Sequence, residues 1–307
     1  MPEPVGLVDA HHHVWDLERH DQAWLREPAH EAIRRSFGAQ DLRAEATATV
    51  RGLRLARTVA VQCIASVPET LDLLALAERD PLVGAVVGWA DLRSPALADT
   101  LDTLQAAPGG AHLKALRHLV QGEADPAWLQ RPDVERGLAT VARRGLRYDV
   151  LVRHRQLPQA VLLAQRNPQL RLVLDHAGKP PLAGGDLRQW EQHIRQLAAH
   201  ENVACKVSGL ITEADRERWT VHDLRPAWQV LLSAFGPQRL MFGSDWPVCR
   251  LAGGWNRWAL TVGELLDDLT AAQAEAVLAT TAREFYALPP DPLPDPDAPT
   301  GAHSERT

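Results

Sequence analysis

The stretch RPDVERGLATVARRGLRYDVLV, residues 131–152, joins a helix pattern to a strand pattern. Between residues 133 and 144 an apolar residue recurs every three or four positions, which predicts a helix with one buried face. Residues 146–152 form a short apolar run rich in residue types that favour strands. A helix that leads directly into a buried strand is the repeating unit of α/β proteins.

The same alternation continues over most of the 307 residues. One helix pattern begins with a capping box at Ser66 and Glu69 and is expected to end near Asp80. Besides residues 146–152, the runs predicted to be strands are residues 5–11, 58–62, 82–88, 113–119, 170–176, 202–208 and 239–244. Strands connected through helices are parallel, because the chain must cross back to the starting edge before the next strand begins.

Eight parallel strands predict an α/β fold, a single-domain (β/α)8 TIM barrel over residues 1–288, because a sheet of this size can close around its own side chains. An open doubly wound sheet is the alternative, and it is disfavoured because no GxGxxG turn follows the first strand. Two segments depart from the repeat. Residues 14–57 are predicted to be an insertion over the barrel mouth, and the proline- and aspartate-rich residues 289–307 a disordered tail.

The composition limits the classes of partner. A formal net charge of -6 disfavours nucleic-acid binding, which needs a basic face. No apolar run reaches the roughly 18 residues of a membrane span and no signal-peptide pattern opens the sequence, so we expect a cytoplasmic protein with a small-molecule substrate. A homo-oligomer is compatible with this composition. Cys63, Cys205 and Cys249 lack CxxC spacing and are expected to be small buried apolar residues.

Polar residues follow several of the predicted strands, and the active site of a TIM barrel lies at those strand ends. They are His11, His13, Arg117, His118, Asp175, His176, Lys206, Ser208 and Asp245. His11 and His13 are two residues apart, so alternation along a strand points both to one face and His12 to the other. Two imidazoles at one mouth suit a divalent cation such as zinc, although a solvated loop or a tag remnant is the alternative.

His176 and Asp245 come late in the chain, each after an apolar run. A metal ligand and a hydrogen-bonded core residue both fit the position of His176. A carboxylate as deep as Asp245 must be paired, metal-bound or catalytic, and a salt bridge to Arg250 is its structural alternative. Tryptophans that follow predicted strands either stack on a sugar ring or cover the core. They are Trp15, Trp89 and Trp246.

Four segments, VDAHHHVWD, LDHAGKP, CKVSGL and MFGSDWPVC, resemble the amidohydrolase superfamily in their order and content. More narrowly, they resemble its amidohydrolase-2 branch, which contains sugar-lactone hydrolases of the L-fuconolactonase and L-rhamnonolactonase type. The resemblance covers almost all of residues 5–286 and implies hydrolysis of a cyclic ester. It also implies one divalent metal ion, for which zinc is the expected metal, although some relatives work without one.

The resemblance also implies roles for the residues at the strand ends. The implied metal ligands are His11, His13, His176 and Asp245. Asp245 is expected to act as general base, and His176 and Lys206 to stabilise the oxyanion. The expected substrate contacts are Arg117, His118, Lys206, Trp15, Trp89 and Trp246. A binuclear centre would need a bridging carboxylated lysine, for which Lys114 sits too early in its strand, and His154 is either an extra ligand or part of a solvated loop.

Three functions are compatible with these motifs. The first is a lactonase that opens a sugar-acid lactone of the L-fucono- or L-rhamnono-lactone class. The second is a metal-dependent decarboxylase or a dicarboxylate, pyrone-type lactonase, which should present several arginines to substrate carboxylates, whereas Arg117 is the one clear arginine at a strand end. The third is a non-catalytic barrel that binds a sugar acid.

Overall fold

A computed structural model describes residues 6–291 of the chain as one eight-stranded sheet. The strands are Leu7–His12 (β1), Leu55–Val61 (β2), Val83–Gly88 (β3), Leu113–His118 (β4), Arg147–Val150 (β5), Leu172–Leu174 (β6), Val203–Val207 (β7) and Leu240–Phe242 (β8). All neighbouring strands are parallel, and their order in the sheet is their order in the chain. The predicted (β/α)8 barrel is therefore confirmed.

The sheet closes where β1 meets the residues that follow β8. The His13 N–H donates to the Trp246 carbonyl oxygen at 2.7 Å, and the Asp245 N–H donates to the His11 carbonyl oxygen at 2.8 Å. These two backbone hydrogen bonds join the first and the last strand. As a result, the histidines that end β1 lie beside the carboxylate that follows β8.

Helices connect the strands, as the periodicity predicted. They are Ala39–Glu45 (α1), Val67–Arg79 (α2), Leu97–Ala106 (α3), Pro132–Arg143 (α4), Leu157–Arg166 (α5), Arg188–Ala198 (α6), Leu210–Glu213 (α7), Val221–Phe235 (α8), Gly254–Leu265 (α9), Ala271–Glu275 (α10) and Thr281–Tyr286 (α11). The Ser66 hydroxyl caps α2 by accepting from the Glu69 N–H at 3.2 Å. Among residues 6–291, no helix has the length and apolar character needed to cross a membrane.

Two apolar layers hold the barrel. The inner layer fills the barrel with small and branched strand residues, and Phe285 and Tyr286 of α11 cover its amino-terminal end. Its strand residues are Val8, Ala10, Val59, Val61, Ala85, Val87, Ala115, Val173, Ala204 and Met241. The outer layer packs the other faces of the strands against the helices. All three cysteines are buried and free.

Residues 14–57 and the described part of the predicted tail, residues 289–291, are both tied to the barrel. Within residues 14–57, Trp15 pairs with Phe37 in an antiparallel bridge, and the Glu45 carboxylate accepts from Trp246 Nε1 at 3.0 Å. The segment therefore packs on the loop that follows β8. Of the predicted tail, residues 292–307 lie outside the described residues, whereas Asp291 accepts a hydrogen bond from the Gly6 N–H at 2.9 Å.

Candidate active site

Three histidines surround one carboxylate at the carboxyl end of the barrel. Asp245 Oδ1 lies 3.4 Å from His13 Nε2, 3.8 Å from His11 Nε2 and 3.9 Å from His176 Nε2. His11 Nε2 and His13 Nε2 are 3.2 Å apart. All four side chains are buried, so the fold brings together residues that are far apart in sequence and turns their polar atoms toward one point.

A β-bulge in β1 places His11. Asp9 pairs with Thr58 of β2, but His12 pairs with Ala60, so β1 holds one extra residue between the two pairs. Ala10 and His11 consequently both face the barrel interior, where a regular strand would alternate them. His12 faces the other way, with its Nε2 2.9 Å from the Thr58 hydroxyl.

His176 and Asp245, the two residues of the cluster that come late in the chain, have a strained backbone. His176 has φ of 51° and Asp245 has φ of 56°, in the left-handed region that non-glycine residues rarely adopt. Each such residue costs on the order of 1–3 kcal/mol, and strain of this kind concentrates at functional sites. Gly209 makes the conformation of His176 feasible, because a Cβ on Gly209 would lie 2.9 Å from the imidazole.

Hydrogen bonds on the far side of each ring orient the histidines. His13 Nδ1 lies 2.7 Å from the Val61 carbonyl oxygen, which can only accept, so Nδ1 carries the proton and the Nε2 lone pair points toward Asp245. His176 Nδ1 bonds to the Ser208 hydroxyl at 2.9 Å. Such partners fix the tautomer of histidines that bind metals.

Burial and mutual contact set the charges of the cluster. Burial lowers the pKa of His176 to about 4, so this imidazole is neutral at neutral pH. Burial alone would raise the pKa of Asp245, but the neighbouring His176, His13 and His11 hold it below the ordinary value. Burial also lowers the pKa of His11 well below its ordinary value, so an ionised carboxylate lies next to the neutral imidazoles of His11 and His176. Neutral imidazole and ionised carboxylate are the ligand forms that divalent metals need.

The donor set fits a zinc ion. His11, His13 and Asp245 each offer one ligand atom, and His176 adds another imidazole next to them. Ligand atoms about 2.0–2.2 Å from a tetrahedral zinc ion lie roughly 3.3–3.6 Å from one another. The observed separations of 3.2–3.8 Å among His11, His13 and Asp245 agree with three corners of that polyhedron, and His176 Nε2 lies 3.9 Å from Asp245. Nitrogen and carboxylate oxygen are also ligand types that zinc accepts.

A second tier of charged side chains lies directly beneath His11. The Lys206 ammonium is 2.6 Å from Asp149 Oδ2, 3.0 Å from Asp175 Oδ1 and 3.1 Å from His11 Nδ1. Arg117 Nη1 donates to Asp175 Oδ2 at 3.0 Å. The two cations and two carboxylates balance, and Lys206, Asp149 and Asp175 have no exposed surface. Although burial opposes it, Lys206 and His11 hold the pKa of Asp175 well below its ordinary value.

The second tier contains two residues that were expected near the substrate, Lys206 and Arg117. The nitrogens of both are engaged by carboxylates, and Arg117 Nη1 also lies 3.3 Å from His11 Nε2. His11, Asp175 and His176 also form a geometric group of metal-ligand types. Lys206 and Arg117 both pair with Asp175 and would repel a cation at this second group.

The expected aromatic contacts divide into buried and partly exposed rings. Trp246 has no exposed surface and donates to Glu45, and Trp15 is buried with its Nε1 on the Arg35 carbonyl oxygen. Residues 14–57 cover both rings. Trp89 is only half-buried, and its indole N–H donates to His118 Nδ1 at 3.2 Å.

His118 is fully hydrogen-bonded. Its Nδ1 accepts from Trp89, and its Nε2 therefore carries the proton and donates to Glu123 Oε1 at 2.6 Å. The imidazole also stacks on Trp128 with 4.0 Å between the ring centroids. His118 thus ties the loop after β4 to Trp89 at the end of β3.

Lys114 and His154 lie outside the cluster. Ala115 belongs to the inner layer and Arg117 has the same orientation, so Lys114 points toward the helices and cannot bridge two ions. His154 Nδ1 contacts the Lys179 carbonyl oxygen at 3.2 Å, and His154 belongs to neither group of metal-ligand types found within residues 6–291.

Sequence reasoning missed two buried carboxylates that shape the site. Asp149 pairs with Lys206, and Glu69 Oε2 accepts the N–H groups of Cys63 and Ile64 at 3.1 Å each, which fixes the loop after β2. The signal for Asp149 was available, because a charge inside the apolar run RYDVLV must find a partner. Glu69 carried no such signal, since its spacing from Ser66 already accounted for it as a capping residue.

Comparison with known proteins identifies the class that this barrel and site define. The family model described as Amidohydrolase matches residues 8–288, so the chain belongs to the amidohydrolase family, as the motifs indicated.

Individual proteins of known name or structure are also similar to this chain. The chain is 40% identical to the L-fucono-1,5-lactonase of Burkholderia multivorans over 301 residues, which cover 92% of this chain and 96% of the relative. It is 36% identical to the L-fucono-1,5-lactonase of Burkholderia ambifaria over 285 residues, which cover 92% and 95%. The crystal structure of an amidohydrolase from Burkholderia multivorans with bound zinc matches with a TM-score of 0.86 at 39% identity, over 92% of this chain and all of that one.

Proposed function

We propose that this protein hydrolyses the lactone of a sugar acid, of the L-fucono-lactone class, with Asp245 as general base. The observation that carries the proposal is the ionised Asp245 surrounded by His11, His13 and His176 in a chain 40% identical to a curated L-fucono-1,5-lactonase over nearly its whole length. The proposal includes one zinc ion and a role in carbohydrate catabolism. A cytoplasmic location and a homo-oligomeric state stay predictions.

The residues of the cluster divide the reaction between them. His11, His13 and Asp245, with His176 beside them, would hold the ion, which polarises the lactone carbonyl and acidifies water when it is bound. Asp245 accepts the proton of the attacking water, whose oxygen bonds to the carbonyl carbon. The ring C–O bond then breaks, and Asp245 returns the proton to the departing alkoxide. The product is the open-chain hydroxy acid.

Charge at the mouth supports a neutral polyol lactone. Arg117, the strand-end arginine that a carboxylate substrate would need, donates to Asp175 and is buried below the cluster. A decarboxylase or a pyrone-dicarboxylate lactonase requires a cation free to pair with the substrate carboxylate. The half-buried indole of Trp89 offers instead an apolar face of the kind that packs on a sugar ring.

The proposal is tested with a panel of aldonolactones and a pH indicator that reports acid release. We expect wild-type protein to open at least one lactone and Asp245→Asn to lower kcat by roughly 100-fold or more, because the amide cannot accept the proton of the water. Asp268→Asn is the matched control, since its carboxylate is exposed and, among residues 6–291, forms an ion pair only with Arg225, at 3.8 Å. A non-catalytic binding barrel would give no acid release on any lactone, with or without added zinc.

A further inference from the structure

Asp9 is a buried carboxylate that joins β1 to the loop after β8. It has no exposed surface, and no cation pairs with it within residues 6–291. Its Oδ1 accepts the His11 N–H at 3.2 Å, inside the bulge of β1, and the Ser244 N–H at 2.8 Å. Its Oδ2 accepts the indole N–H of Trp255 at 2.9 Å. One side chain thus ties the backbone of His11 to the residue that precedes Asp245.

Glu45, the last residue of α1, binds the same loop from the segment between β1 and β2. Its Oε1 accepts the main-chain N–H of Trp255 at 3.0 Å. Its Oε2 accepts the indole N–H of Trp246 at 3.0 Å and a guanidinium N–H of Arg250 at 2.7 Å. Trp255 therefore has its main-chain N–H on Glu45 and its indole N–H on Asp9, so the two carboxylates hold one loop together.

Donors face both oxygens of each carboxylate, and this explains why acids occupy positions 9 and 45. A carboxylate accepts at both oxygens, whereas a side-chain amide presents one acceptor and one donor group. In either orientation, the amide of Asp9→Asn or Glu45→Gln would turn its NH2 toward an N–H. Burial of a carboxylate without a cation is costly unless N–H groups bind it, as they bind Asp9.

We propose that Asp9 and Glu45 are positioning residues that hold Asp245 in its strained conformation. Asp245 has φ of 56°, and a residue in such a conformation persists only where the surrounding contacts impose it. Asp9 holds the residue before Asp245, and Glu45 holds the residue after it. The Asp245 carboxylate is thereby kept beside the imidazoles of the cluster. The inference rests on the proposed function in that Asp245 is the proposed general base.

Hydrogen exchange followed by mass spectrometry tests the positioning on metal-free protein without any lactone. We expect the amides of residues 243–246 to exchange at least about 10-fold faster in Asp9→Asn and in Glu45→Gln, because loss of a hydrogen bond to a charged group favours local opening. The amides of β7 should exchange as in the wild type. Glu264→Gln is the matched control, since this glutamate of α9 is exposed and forms no ion pair within the described part of the chain.

Zinc affinity and steady-state kinetics show whether the loosened loop affects the cluster. Loss of groups that orient metal ligands typically weakens metal binding about 10- to 100-fold, and we expect the lower end of this range in both variants, measured by competition with a chromophoric chelator. The kcat should fall by a similar factor with KM unchanged, because the two residues act through Asp245. A merely structural role would lower the free energy of unfolding and leave the zinc affinity and kcat of the folded protein unchanged.

Unchanged exchange at residues 243–246 in both variants would overturn the proposal. Faster exchange with unchanged zinc affinity and kcat would also overturn it, as would equal changes in Glu264→Gln. If Asp9→Asn does not fold, Glu45→Gln decides, because the Glu45 side chain is partly exposed. A wild type that opens no lactone would refute the proposed function, while the exchange and zinc measurements would still decide the positioning role.

Discussion

The two tiers at the carboxyl end of the barrel use similar residue types for opposite purposes. In the upper tier, Asp245 faces three imidazoles at 3.4–3.9 Å, and its backbone is strained. In the lower tier, Lys206 has carboxylates at 2.6 and 3.0 Å and no exposed surface. The upper tier gathers ligand atoms around one carboxylate, whereas the lower tier pairs each charged group with a group of opposite charge.

The difference between the two tiers depends on side-chain orientation, and adjacent residues of one strand can lie in different surroundings. Arg117 and His118 are neighbours, yet Arg117 points into the lower tier and His118 lies among Trp89, Glu123 and Trp128. A charge in the lower tier has lost its water and must be paired within the protein, so it contributes to stability and to the orientation of His11. A group in the upper tier can instead exchange protein contacts for a metal ion or a substrate.

Removal of a lower-tier cation should give the largest effect on stability. Lys206→Met leaves Asp149 and Asp175 with one cation fewer in a site that excludes water. Breaking a buried ion pair in this way costs about 3–5 kcal/mol. We expect the free energy of unfolding, measured by urea denaturation, to fall by that amount.

Lys114→Met is the matched control for Lys206→Met. Lys114 is half-buried on the helix-facing side of β4 and makes no ion pair within the described part of the chain. Its replacement should change the free energy of unfolding by less than about 1 kcal/mol. Equal losses in the two variants would mean that the lower tier is hydrated rather than paired in solution.

An upper-tier effect of intermediate size should follow from Gly209→Ala. The new Cβ would lie 2.9 Å from the His176 imidazole, so the ring must move away from Asp245. We expect kcat to fall about 10-fold, which corresponds to roughly 1.4 kcal/mol in the activation barrier.

Gly145→Ala separates this displacement from backbone strain. Gly145 has φ of 68°, close to the 66° of Gly209, but a Cβ there meets no atom within 4 Å. Both variants should lose stability because each places alanine in the left-handed region, and Gly209→Ala should lose more because its Cβ also displaces the His176 ring. Only Gly209→Ala should lose activity, and a parallel loss in both would assign the effect to strain alone.

The fold was predictable because periodicity is a local property of the sequence. Short apolar runs alternating with helix patterns gave eight parallel strands, and a closed barrel is the arrangement that buries them all. The convergence of His11, His13, His176 and Asp245 followed from the same topology, since the carboxyl ends of parallel strands meet.

The depth of each residue was not predictable, because it depends on packing between distant segments. Trp246 is buried because Phe37 and Glu45, from the segment between β1 and β2, contact its ring. The bulge in β1 depends on the register with β2, which no local pattern reveals. Lys206 lies below the mouth because Asp149, itself hidden in an apolar run, provides its counter-charge.

Replacement of His12 should have the smallest effect at neutral pH. It tests whether His12 faces away from His11 and His13. Burial lowers the pKa of His12 to about 3, so the folded protein keeps it neutral where the unfolded chain would protonate it. The contribution of His12 to the free energy of unfolding should therefore be fully present above about pH 6.5. It should decline as the pH falls toward 3, with a slope of up to about 1.4 kcal/mol per pH unit. His12→Gln should reduce that slope, measured by urea unfolding at several pH values.

At pH 7 the free energy of unfolding of His12→Gln should fall by only about 1 kcal/mol, because the hydrogen bond to Thr58 is broken. The variant should keep its zinc affinity and kcat, since His12 faces away from the cluster. His13→Gln is the comparator, because it removes a ligand atom 3.4 Å from Asp245 and should lose zinc binding. An unchanged pH slope in His12→Gln would show that other buried groups govern acid unfolding. Loss of zinc in His12→Gln would show that the bulge, and with it the separation of the two faces of β1, does not hold in solution.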